Sequence, residues 1–321
     1  MRHTILGKSG LEVSRIAFGT WELGGDWGST DSAAATQAIR RALDSGVTFF
    51  DSAQGYGFGQ SEQLLAAALK DVSRENVVLA TKGGLRPVGD GIVRDASAAW
   101  IQEGVESSLR ALDTDYLDLY QVHWPDPKTP FEETAAALGK LIASGKVLHV
   151  GVSNFDVEQM EEFSATLPVE TLQPPYHLFR REIEAYVLPY TVAHDIGVLV
   201  YGPLGHGMLS GHLSADTQFD PHDWRSKSPA FHGDSFERNL RVVDRLRGLA
   251  DDLGITLAQL AVAWTLQNPA VDVAIVGTRN PDHVDEALAA ADLDLDDEVM
   301  QRIDEIMTDA VPVGGPSPEG M

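Results

Sequence analysis

The chain has 321 residues, 43% of them hydrophobic, and carries 24 Lys and Arg against 48 Asp and Glu for a formal charge of −24. That balance repels nucleic acid and anionic membrane, and the absence of cysteine excludes disulfides, thiolate catalysis and cysteine-held zinc or iron–sulfur centres. No apolar run approaches the ~18 residues a membrane span needs, and the first ten or so residues have no apolar core, so a cytoplasmic protein with no membrane partner is expected.

Two short apolar patches around Lys8-Ser9-Gly10 predict a hairpin lid over residues 1–14. Residues 15–21 read as a strand, and Asp31-Ser32 opens a helix through Leu43. Strand 48–53 carries Asp51 where it leaves the core. Gly55, Gly57 and Gly59 then free the loop around Tyr56, and Ser61 is expected to N-cap a helix to about residue 70. Strand 77–81 leads to Lys82 and, after a Gly/Pro loop, to helix 96–111; strand 117–122 leads to His123 and helix 131–144. Strand 147–152 ends at Ser153-Asn154 before helix 157–166, strand 171–173 precedes helix 183–195, strand 197–201 ends on Tyr201, and strand 273–276 precedes helix 282–291.

Eight short apolar strands alternating with amphipathic helices predict an α/β fold: a (β/α)₈ TIM barrel with an N-terminal β-hairpin and extra C-terminal helices, one domain over 1–321. An open doubly wound sheet would place Gly-x-Gly-x-x-Gly after the first strand, and Gly19-Thr20-Trp21-Glu22-Leu23-Gly24 is not that pattern. Residues 204–235 form a long loop of poor periodicity. Its histidines, His206, His212, His222 and His232, match no ligand spacing, so no metal is assigned. Helices 236–253 and 257–267 follow, the second opened by a Thr256/Gln259 capping box, then helix 296–307 and a loose Pro/Gly-rich tail over 311–321.

A barrel gathers its strand ends on one rim, bringing Asp51, Tyr56, Lys82 and His123 together. Singly, each has a bland reading as a turn residue, a packing aromatic or a satisfied core histidine. Jointly they make a proton donor. Lys82 as an ammonium stabilises a phenolate developing on Tyr56, Asp51 keeps Lys82 charged and oriented, and His123 orients a carbonyl or joins the relay. None of them donates hydride, so a redox role requires a cofactor.

These residues resemble the catalytic tetrad of the aldo-keto reductases, in Asp-x₄-Tyr, Ala-Thr-Lys and Gln-Val-His contexts, and the resemblance covers nearly the whole chain. It implies NADP(H) as cofactor. Gly151-Val-Ser-Asn-Phe155 is similar to the family's strand end that, with Gln173, holds the nicotinamide carboxamide through Ser153 and Asn154. Tyr201-Gly202-Pro203-Leu204-Gly205 resembles the segment whose tyrosine stacks on the nicotinamide and whose backbone holds the pyrophosphate, with Gly202 in place of the usual serine. Gly277, Thr278, Arg279, Asn280, His283 and Glu286 resemble the adenosine 2′-phosphate site, with His283 where many members have arginine and Ala287 where they have asparagine. The resemblance adds Thr20 and Trp21 to the cofactor contacts, and substrate specificity is expected from Trp21, Trp27, Phe58, Trp124 and the loops 125–130 and 205–235. The implied activity is reduction of an aldehyde or ketone by hydride from the nicotinamide, with Tyr56 as general acid. The alternatives are a sugar or polyol dehydrogenase working oxidatively with the same site, and a cofactor-sensing regulatory subunit like the barrel subunits of potassium channels.

Overall fold

The computed structural model describes residues 1–24, 31–89, 91–220 and 223–318. The chain opens with an antiparallel hairpin, β1 (His3–Ile5) and β2 (Glu12–Ser14). The next elements are β3 (Ile16–Gly19), α1 (Ser32–Asp44), β4 (Phe49–Asp51), α2 (Gln60–Leu69) and β5 (Val78–Gly83). A second hairpin, β6 (Leu85–Val88) with β7 (Gly91–Arg94), occupies what the sequence presents as a Gly/Pro loop. There follow α3 (Ala98–Leu112), β8 (Leu117–Val122), α4 (Phe131–Ala143), β9 (Val147–Ser153), α5 (Val157–Ser164), β10 (Thr171–Gln173), α6 (Val187–Ala193) and β11 (Gly197–Tyr201). The chain ends with α7 (Gly233–Leu253), α8 (Leu257–Gln267), β12 (Val273–Gly277), α9 (Val284–Ala289) and α10 (Asp297–Met307).

Strands β3, β4, β5, β8, β9, β10, β11 and β12 close into one parallel barrel. Their unbroken apolar runs follow from burial on both faces, helices outside and barrel filling inside. Alternation along each strand sorts the side chains. Phe18, Phe50, Leu79, Tyr120, Val198 and Val200 pack outward under the helices. Ala17, Phe49, Ala80, Leu119 and Leu199 fill the interior. The period of two then carries Asp51, Lys82, Gln121 and Tyr201 to the interior two residues after Phe49, Ala80, Leu119 and Leu199. The polar layer at the C-terminal rim is therefore the last turn of the pleat that builds the core.

The opening hairpin closes the other end of that barrel. Leu6 and Val13 join the interior cluster, and Lys8 N–H donates to Asp195 O at 2.8 Å. It is a plug at the N-terminal end rather than a lid over the rim.

Three expectations need correction. The N-cap of α2 is Gly59, at φ 102°, a left-handed conformation that glycine adopts without strain. Ser61 lies inside the helix instead, its hydroxyl 2.6 Å from Thr20 Oγ1. The helix expected over 183–195 shrinks to α6, which keeps Pro189 in its first turn, where no intrahelical N–H bond is lost. The tail is not loose up to Pro316. Val313 is fully buried with its N–H on Phe179 O at 3.0 Å, and Asn239 clasps Val311 through both backbone groups, at 2.8 and 2.9 Å.

Candidate active site

Lys82 Nζ sits at the centre of the rim layer. It donates to Asp51 Oδ2 at 2.6 Å, Ser52 O at 2.8 Å and Tyr56 Oη at 3.3 Å. Neither side chain of the Lys82–Asp51 pair reaches solvent, at 0% and 3% exposure. Burial pushes the lysine's pKa down, and the Asp51 carboxylate opposes that shift. Asp51 has further anchors, since its Oδ1 accepts from Gln173 Nε2 at 2.9 Å and Gln121 Nε2 at 3.4 Å. Tyr56 reaches the group from the loop after β4. Its ring stacks on Trp21 at 6.4 Å and meets His123 edge-on at 5.6 Å. Burial, and then the Lys82 charge, hold His123 well below the ordinary imidazole range, so it is a neutral hydrogen-bonding group at neutral pH.

A cavity of ≈ 240 Å³ opens on this layer. Of the residues expected at the site, Thr20, Trp21, Asp51, Tyr56, His123, Trp124, Ser153, Asn154, Gln173, Tyr201, Gly202, Pro203, Leu204 and Gly277 line it. Lys82 lies just beneath. Phe58 does not line the cavity: it stands 41% exposed at φ 45°, turned to solvent by the loop that presents Tyr56. Trp27 falls outside the described residues. Gly205, Thr278, Arg279, Asn280, His283 and Glu286 also lie off the cavity wall. Around them, Asn280 accepts from Asp282 N–H at 3.0 Å, and His283 faces His212 of the long loop with ring centres 6.0 Å apart.

The polar groups beside Tyr201 are linked to one another. Ser153 Oγ donates to Gln173 O at 2.8 Å, Asn154 Nδ2 donates to His123 O at 3.0 Å, and Tyr201 Oη donates to Asn154 Oδ1 at 2.8 Å. Asn154 takes φ 61°, in the left-handed region that asparagine tolerates, which turns its amide toward the others.

The sequence profile of the aldo/keto reductase family matches residues 15–308. The chain belongs to that family. Aldo-keto reductase YhdN of Bacillus subtilis is 42% identical over 98% of this chain and 96% of that protein. A probable voltage-gated potassium channel subunit beta of Arabidopsis thaliana is 34% identical over 91% of this chain and 92% of that protein. The structure of a glycerol dehydrogenase from Gluconobacter oxydans superposes with a TM-score of 0.87 at 39% identity, covering 96% of this chain and 95% of that one. This aldo/keto reductase is thus an oxidoreductase on a (β/α)₈ barrel, from a family that works with a nicotinamide cofactor. No single helix among the described residues is long and apolar enough to cross a membrane.

Gln121, which does not line the cavity but bonds Asp51 beneath it, follows the interior residue Leu119 by two and is readable from that spacing. The long loop expected to shape specificity does reach the cavity, through His206 and Arg225, while Glu22 and the tail residues Gly315 and Pro316, which also line it, are not legible as site residues in the sequence. Arg225 Nη1 donates to His206 O at 3.1 Å, and the His206 ring packs edge-on against Trp21 and Trp224, with centres 6.3 and 5.1 Å apart. A Cβ on Gly315 would lie 2.9 Å from His206 Nε2, so the tail fits the histidine only as glycine.

Proposed function

We propose that this protein is an NADP(H)-dependent reductase of aldehydes or ketones in which Tyr56 is the general acid. The observation that carries the reading is the placement of Lys82 Nζ between Asp51 and Tyr56, 2.6 Å from one and 3.3 Å from the other, beneath a cavity that His123 also lines.

The donor set fits the cofactor. Ser153, Asn154 and Gln173 bring a hydroxyl and two amides to the cavity beside the Tyr201 ring, a match for a carboxamide on a flat aromatic ring. Gln173 and Asn154 keep carbonyl lone pairs to accept an amide NH₂. When bound, the nicotinamide supplies the hydride that no protein side chain can. The protein's part is the proton and the orientation. His123, neutral, hydrogen-bonds the substrate carbonyl oxygen and aims it at Tyr56. As negative charge grows on that oxygen, Tyr56 Oη gives up its proton. Lys82 stabilises the resulting phenolate across 3.3 Å, and Asp51 holds the ammonium in place. Trp21 and Trp124 make the wall against which the substrate's remaining atoms pack.

The same groups run in reverse on an alcohol, with Tyr56 as base. The likeness to a glycerol dehydrogenase supports this oxidative direction on a polyol as the second reading. An intact Asp51–Tyr56–Lys82–His123 group favours turnover over a purely regulatory role. Steady-state assays with aldehydes, ketoses and polyols, following cofactor absorbance in both directions, test the proposal. Turnover of carbonyl compounds is the expected result, and oxidation of polyols with no carbonyl reduction would transfer the assignment to the second reading.

A further inference from the structure

Behind β5, on the side away from the cavity, lies a second buried polar group that the proposed chemistry leaves unused. Glu62 on α2 is fully buried, and its Oε1 accepts from Thr81 Oγ1 at 2.6 Å. Thr81 is the outward-facing neighbour of Lys82 on the same strand. Among the described residues, Gln54 Oε1 and Tyr120 Oη are buried without a hydrogen-bond partner, and Ser108 on α3 lies within reach of the Glu62 carboxyl. Gln54 N–H donates to Lys82 O at 2.9 Å, and Tyr120 Oη lies where a Cβ on Gly83 would come within 1.8 Å of it. These groups thus touch β5 at three successive residues, Thr81, Lys82 and Gly83. Buried polar atoms left unpaired are costly, and a fold that served packing alone would replace them with apolar side chains.

We infer that Glu62 is a positioning residue for the Asp51–Lys82–Tyr56 group: it tethers the β5 backbone through Thr81 and provides a second negative charge for the Lys82 ammonium. The inference rests on the reading of Tyr56 as proton donor. The titratable groups that face Glu62 are Lys82 on β5 and Tyr120 on β8, and α3 contributes the uncharged Ser108. Burial raises the Glu62 carboxyl, and the Lys82 charge opposes that shift. The carboxylate in turn raises Lys82, against the lysine's own burial. A negative charge on Glu62 therefore helps Lys82 keep its proton to higher pH.

The test is the pH profile of kcat/KM for carbonyl reduction in wild type, Glu62→Gln and Glu62→Met, two neutral variants of similar length, so that it does not hang on one of them folding. The basic limb is expected about one pH unit lower in the neutral variants. Thr81→Val removes the tether and keeps the carboxyl, and is expected to lower kcat with the limb in place. A limb that stays put in both neutral variants, or one that moves equally in Thr81→Val, overturns the inference. Either result stands apart from failure of the Tyr56 assignment, which would show as turnover persisting in Tyr56→Phe.

Discussion

The Lys82 ammonium and the Asp51 carboxylate meet at 2.6 Å with solvent excluded from both. A buried pair of this kind is costly to form and more costly to halve, because the remaining charge is stranded. Asp51→Asn is expected to lower stability by roughly 3–5 kcal/mol and to let Lys82 shed its proton at lower pH, pulling down the pH above which reduction fails. Lys82→Met should damage turnover more severely, since Asp51 keeps its bonds from Gln173 and Gln121 while Tyr56 loses its cation. Urea unfolding and pH–rate profiles of the two variants check both statements, and equal turnover in wild type and Lys82→Met would contradict them.

Tyr56→Phe removes only the phenolic oxygen, keeping the ring that stacks on Trp21 and meets His123. General acid catalysis is worth ~10²–10⁴ in rate, so kcat should fall by that factor with nucleotide affinity unchanged. Single-turnover kinetics with a fluorescence titration of the cofactor separates the two quantities.

On the proposed NADP(H) reading, Arg279 would meet the 2′-phosphate beyond Gly277. The dipole of the following helix adds little, because the segment opens as a single 3₁₀ turn, Pro281–His283, before the six residues of α9. A hydrogen bond to a charged group is worth roughly 1.5–3 kcal/mol, which predicts a tenfold to hundredfold preference for NADPH over NADH, weakening with salt. Arg279→Ala should lose that preference and keep NADH affinity. Equal affinities in the wild type would remove the phosphate-reading role from Arg279.

His206 is held down to about 4 by burial, with the Arg180 and Arg225 charges adding to it, and the adjoining His177 is pushed well below the ordinary 6.5. The native state thus refuses protons that the unfolded chain accepts once the pH drops below about 6.5. Stability should accordingly fall as pH goes from 6.5 toward 4, with His206 alone contributing about 2 kcal/mol of loss between pH 7 and pH 5. His206→Asn, which tolerates the left-handed backbone at φ 56°, should lose correspondingly less over that interval. Denaturant unfolding at the two pH values measures the difference, and parallel losses in wild type and variant would place the acid sensitivity elsewhere.

The barrel and its rim were legible because two simple periods govern them. Apolar strands buried on both sides cannot hide among helices of 3.6-residue period, and Asp51, Lys82 and Tyr201 lie two residues past interior positions of those strands. Contacts made at long range left no such trace. Nothing local in Gly314-Gly315-Pro316 says that this stretch packs on His206, and its Pro/Gly content reads equally well as a frayed end. Ser61 misled for the opposite reason: a good capping residue stood two places after a glycine whose backbone starts the helix without a side-chain cap. The hairpin β6–β7 was hidden by Gly84, Pro87 and Gly89, which punctuate its two short strands.

The tail that carries Gly315 and Pro316 is made after α10, the last helix of the fold. On the ribosome, the eight-stranded barrel can close and be plugged at its base while this stretch is still inside the exit tunnel, since synthesis proceeds from the N-terminus at ~5–20 residues per second. Until the stretch emerges and Asn239 clasps Val311, the wall beside His206 is missing. A nascent barrel can therefore be folded before its pocket is complete, and full affinity for small molecules should arrive only once residues 311–316 are free to pack against it.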